Sequence, residues 1–95
     1  MVYWVLYDIT KNRARTKVAN LCKDYGLKRV QMSAFLGKLT RNKAEMLALE
    51  IRDHINEETD KVFVVPAGKE EHAKKIILGD LDPLALAIPN AIFVE

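Results

Sequence analysis

Ninety-five residues, with 15 Lys and Arg against 13 Asp and Glu, make one small domain of net charge +2. That charge excludes a histone-like bulk polycation, so any nucleic-acid surface must come from local clustering of cations. The single cysteine, Cys22, excludes an intrachain disulfide and fits a reducing compartment; no stretch has the length of a membrane span or the plan of a signal peptide, so the expected location is the cytoplasm, with no membrane partner.

The chain is organised around its first strand. Val2-Tyr3-Trp4-Val5-Leu6-Tyr7 is an unbroken apolar run that predicts a central strand buried on both faces, and Asp8 ends it. A carboxylate there is held at the mouth of the sheet. Thr10 is the predicted N-cap of a first helix over Lys11–Tyr25, with Ala14, Val18, Leu21, Cys22 and Tyr25 as its apolar stripe and Gly26 just past its end. Lys11, Arg13, Arg15 and Lys17 crowd the start of that helix, where the dipole disfavours positive charge. A local rule broken so plainly points to function.

Leu27 to Leu39 has a period of two that shifts at Phe35-Leu36, which predicts two short strands joined near Ser33. Thr40 is expected to cap a second helix with Ala44, Leu47, Ala48, Ile51 and Ile55 on its inner face, ending in the polar cluster Asn56–Asp60. Lys61–Val65 reads as a strand stopped by Pro66 and Gly68, Glu70–His72 as a link or one helical turn, and Lys74–Leu78 as a further strand. Residues 80–95 form an apolar, proline-bearing arm ending in a short strand, Ala91–Val94. An arm of that kind needs an edge to pair with, and on so small a domain the edge is expected on a second copy.

The order β-α-β-β-α-β predicts an α+β, ferredoxin-like sandwich over residues 1–79, an antiparallel sheet with two helices on one face. The open face then calls for cover, and a homodimer packed sheet to sheet supplies it, with the arm of residues 80–95 swapped between copies.

Asp8 can act as a ligand for Mg²⁺, which keeps several waters and takes only one or two protein carboxylates. A two-fold axis near the strand end would supply a pair. The ordinary alternative, an Asp that opens a turn or pairs with a nearby arginine, stands ahead on the residues alone. Arg13, Arg15 and Arg29 offer planar donors for phosphate, and Lys11 and Lys17 enlarge that patch. Ser33 and Phe35 can contact substrate or pack beside the site, although a turn residue and a core aromatic explain them equally well. Tyr3, Trp4 and Tyr7 can form a base-stacking face or simply core. His54 and His72 lack metal-ligand spacing, Cys22 sits on an apolar stripe, and turn chemistry accounts for Asp80 and Asp82.

Tyr7-Asp8-Ile9, the Arg13 and Arg15 pair, Lys28-Arg29-Val30-Gln31, Ser33-Ala34-Phe35-Leu36-Gly37 and Val64-Val65-Pro66 together resemble the CRISPR-associated Cas-two family, in the same order and at family spacing over nearly the whole chain. The resemblance implies a ferredoxin-like homodimer that works in spacer acquisition beside the Cas-one integrase. It implies a metal-dependent endonuclease acting on single-stranded RNA or double-stranded DNA, with Asp8 as the Mg²⁺ ligand, Asp8, Ser33 and Phe35 in the catalytic region, and Lys11, Arg13, Arg15, Lys17 and Arg29 on the substrate surface. It equally allows a scaffold that holds DNA without cutting it. Leu36 departs from the family, which often has an acidic residue there. A ferredoxin-like regulatory domain with a small ligand is the remaining alternative, and it leaves the basic helix start unexplained.

Overall fold

In a computed structural model, which describes residues 1–79, the chain runs β1 (Val2–Asp8), α1 (Asn12–Asp24), β2 (Lys28–Gln31), β3 (Ala34–Lys38), α2 (Arg41–Arg52), β4 (Lys61–Ala67) and a short α3 (Lys69–Ala73). The strands form one antiparallel sheet in the order β2-β3-β1-β4. This is the predicted ferredoxin-like arrangement, with β1 central between β3 and β4.

Alternation along β1 sends its residues to two different environments. Tyr3, Val5 and Tyr7 join Val18, Cys22, Phe35, Leu47 and Ile51 in the core between sheet and helices. Val2 and Trp4 face the other way, with Val30, Ala34 and Leu36. Burial on both faces, expected for the whole strand, stops partway: Leu6 is 39% exposed, and Phe63, its Cα partner on β4, is 58% exposed. The two long helices, α1 and α2, cover one face of the sheet, whereas the short α3 sets His72 against Trp4 on the other.

Local signals set most boundaries. The Thr40 hydroxyl accepts from the Lys43 amide and caps α2 as predicted. Gly26 takes φ +85, and the Leu27 amide returns to the Cys22 carbonyl, closing α1 with a left-handed cap. A register shift between Arg29 and Gln31 marks a bulge in the β2–β3 hairpin. The broken alternation at Phe35-Leu36 has another cause: β3 is buried on both faces, with Phe35 in the core beneath the helices and Ala34 and Leu36 on the other side.

Three expectations are corrected. Thr10 does not cap α1: the cap position is Lys11, without a side-chain bond, because the Thr10 hydroxyl is engaged by Asp60. Pro66 does not stop β4, which continues to Ala67 with Pro66 opposite Tyr3. The missing N–H is tolerated because β4 is an edge strand of this sheet. Lys74–Leu78 is not a strand. It follows α3 without regular structure, and residues 75–78 line, with Trp4, Leu6, Val30 and Ala34, a recess on the sheet face away from α1 and α2. Its apolar run resembled a strand, but a strand needs a ladder partner, and this segment has none among the described residues. The arm of residues 80–95, its strand Ala91–Val94, Asp80 and Asp82 lie outside the described residues.

Candidate functional site

The C-terminal end of β1 puts an exposed carboxylate beside a basic turn. Asp8 is the last residue of the strand, on the face away from the helices, and its Cα partner across the ladder is Lys61. Four residues later α1 begins with no acidic side chain in its first turn. Lys11, Arg13, Arg15 and Lys17 are all exposed.

These cations do not form one patch. Arg13 and Lys17, one helical turn apart, line with Lys11 an open groove of about 1020 Å³. The far wall is the loop after α2, including His54, Asn56 and Asp60. Arg15 turns back instead: one guanidinium nitrogen donates to the Ile9 carbonyl at 3.3 Å and the other to Asn12 Oδ1 at 2.8 Å. Its planar group is thereby held against the turn that follows Asp8. Arg29 is separate again, on β2, with its guanidinium carbon 5.1 Å from the centroid of the Phe35 ring.

Phe35 is fully buried and stacks near Tyr7, with ring centroids 6.3 Å apart. It underlies the site, linking Arg29 to the residue before Asp8, and does not reach the surface. Ser33 is half-buried in the hairpin turn, and its carbonyl accepts from the Tyr7 amide at 3.0 Å. The base-stacking face imagined for Tyr3, Trp4 and Tyr7 is not formed: Tyr3 and Tyr7 lie in the core, and Trp4 packs against the His72 ring. Cys22 is buried, and desolvation pushes its thiol up to about 12 while Arg29 opposes that shift. It is a packing residue, as its stripe position predicted.

Asp60 was missed. It is buried, and one carboxylate oxygen accepts from both the amide and the hydroxyl of Thr10, each at 3.0 Å. The other oxygen accepts from the Asn56 amide at 2.9 Å. The hydrogen bonds from Thr10, then that from Asn56, hold its carboxyl below the ordinary carboxylate value. The partner residue Thr10 is 50 positions away, so no local pattern signals the pair. Lys61 was missed as a neighbour of Asp8 for the same reason.

Among the described residues no three His, Cys, Asp or Glu side chains converge as a metal cluster. An exposed carboxylate open to water nevertheless fits Mg²⁺, which needs little more from a protein. Also among the described residues, no helix is long and apolar enough to cross a membrane.

The fold and this end of the sheet define a small ferredoxin-like protein with a carboxylate at the tip of its central strand and two arginines, Arg13 and Arg15, at the start of the helix that follows. The family model for CRISPR associated protein Cas2 matches residues 1–75, and the chain belongs to that family. It is 32% identical to the CRISPR-associated endoribonuclease Cas2 1 of Archaeoglobus fulgidus over 80 residues, 84% of this chain and 85% of that one. The crystal structure of Streptococcus pyogenes Cas2 superimposes with a TM-score of 0.73 at 30% identity, covering 83% of this chain and all of the other. In Thermoproteus tenax a CRISPR-associated endonuclease Cas1/endonuclease Cas2 fusion is 46% identical over 52 residues, half of this chain and 20% of the fusion.

Proposed function

We propose that this CRISPR-associated protein acts in the cytoplasm as a homodimer that binds the nucleic-acid backbone and cleaves phosphodiesters with Mg²⁺ held at Asp8. The observation that carries the reading is the exposed carboxylate at the tip of β1, followed after a short turn by the start of α1, which bears Arg13 and Arg15. Relatives named as endoribonucleases support a hydrolytic role, and the natural fusion supports Cas1 as a partner.

Each side chain has a task in this reading. Arg15, tethered to the Ile9 carbonyl, presents fixed donors to a phosphate beside Asp8. Arg13, Lys17 and Lys11 track the neighbouring backbone along their groove, and Arg29 makes a further contact from the hairpin edge. Phe35 and Ser33 support the site from beneath, Phe35 by fixing Arg29 and Ser33 through its carbonyl bond to Tyr7. Bound Mg²⁺ would lower the pKa of a coordinated water and offset charge on the phosphate. Asp8 supplies one carboxylate, and a second copy packed on the open sheet face would supply another.

The alternative is the same dimer as a non-catalytic holder of double-stranded DNA. The single carboxylate at the strand tip favours it. Cleavage of single-stranded RNA and duplex DNA, with Mg²⁺ or a chelator, separates the two. Under the nuclease reading Asp8→Asn lowers cutting by about 10²-fold or more while leaving binding in place. Absence of cutting by the wild type, with binding that weakens steeply as salt rises, establishes the holder instead. A small-ligand regulatory role needs an enclosed apolar pocket, whereas the groove beside α1 is open and charged.

A further inference from the structure

The turn that joins Asp8 to the arginines carries the site, yet Thr10 does not cap the helix that follows, and α1 begins without a side-chain cap. What fixes the turn comes from 50 positions further along the chain. Asp60 receives the Thr10 amide and hydroxyl on one oxygen and the Asn56 amide on the other. The Thr59 hydroxyl adds a contact of 3.3 Å. The next residue, Lys61, opens β4 opposite Asp8. One buried carboxylate therefore ties the turn between Asp8 and Arg13 to the start of the neighbouring strand.

We infer that Asp60 is a positioning residue, which sets the register of Arg13 and Arg15 against Asp8 by clamping Thr10. The inference rests on the proposed nucleic-acid reading. Asp60 touches no phosphate in it and acts through Thr10. Its hydrogen bonds favour the ionised form, so the clamp is in place at neutral pH.

Charge alone predicts the opposite behaviour. Asp60 lines the same groove as Lys11, Arg13 and Lys17, and a bystander carboxylate there repels phosphate. Neutralising a bystander tightens nucleic-acid binding. Neutralising a clamp loosens it, because cations freed from their register no longer meet successive phosphates.

The test measures the affinity of the full chain for a labelled single-stranded RNA and for a DNA duplex between about 50 mM and about 200 mM salt. Wild type, Asp60→Asn and Thr10→Val are compared, with circular dichroism to confirm folding and Thr10→Ser as the variant that keeps both donors. Positioning predicts that Asp60→Asn binds about tenfold more weakly and that its salt slope falls by about one phosphate contact. Thr10→Val changes in the same direction by less, and Thr10→Ser matches wild type. Simple loss of folded protein lowers the active fraction without changing the slope. Tighter binding by Asp60→Asn, or an unchanged slope in both Asp60→Asn and Thr10→Val, overturns the inference while leaving the nucleic-acid reading intact. A wild type that binds neither RNA nor DNA removes both together.

Discussion

The two faces of β1 are built from neighbouring residues and end in opposite states. On one side Tyr3, Val5 and Tyr7 are sealed beneath α1 and α2. On the other, burial declines along the strand from Val2, fully buried, to Leu6, 39% exposed, and β4 continues the opening with Phe63 and Val65 at 58% and 41%. The sealed side accounts for the fold. The open side is apolar where a finished surface would be polar, and it runs out to Asp8. A sheet face of this kind marks an interaction surface. The difference shows how one short strand can hold a core together and still present a carboxylate and a contact face to other molecules.

Truncation on each side tests that contrast most strongly. Phe35→Ala empties a fully buried position touching Tyr7 and Arg29 and is expected to cost about 3–5 kcal/mol. The same truncation at Phe63, measured on protein dilute enough to be monomeric, is expected to cost about 0.5 kcal/mol or less. Urea unfolding of both variants reads the difference. Equal costs would mean that the exposed face is packed as tightly as the sealed one.

Charge on the open side gives the next effect. Phe63→Lys places an ammonium where a second sheet would lie, and it is expected to raise the dimer Kd at least about tenfold, read by sedimentation, while the monomer keeps its fold. A dimer of undiminished affinity would move the interface elsewhere and would separate the two copies of Asp8 from a shared edge.

Legibility in the sequence follows the same division. The sealed side was readable because local chemistry decides it: a period of 3.6 placed Val18, Cys22, Leu47 and Ile51 inward, Thr40 announced α2, and Gly26 closed α1. Asp8 was readable because it ends an apolar run. The cations were readable as residues but not as an arrangement. That Arg15 folds back to Ile9 while Arg13 and Lys17 share a groove depends on side-chain directions around the helix and on the loop after α2. Asp60 was illegible because its partner lies across the fold, and in isolation it looked like the end of a polar cluster. Lys74–Leu78 misled because a short apolar run reports a preference for burial, and a strand also requires a free ladder edge.

The smallest expected effect probes how dry the sealed side is. Cys22 is fully buried on the inner stripe of α1, and burial raises its thiol from 9.0 to about 12. Well below pH 9 the thiol is neutral in both folded and unfolded chains, so its contribution to stability is constant there. As pH passes through 9, the unfolded chain releases this proton while the folded chain retains it until the pH nears 12. The unfolded state then binds fewer protons, and stability falls with rising pH. Cys22→Ala removes that one term and leaves the lysines and tyrosines titrating as before. Urea midpoints taken from about pH 8 to about pH 11 should therefore decline more steeply for wild type than for Cys22→Ala, with any packing loss appearing as a constant offset. Parallel curves would mean that water reaches the thiol between sheet and helix, and the contrast between the two faces of β1 would then be one of degree.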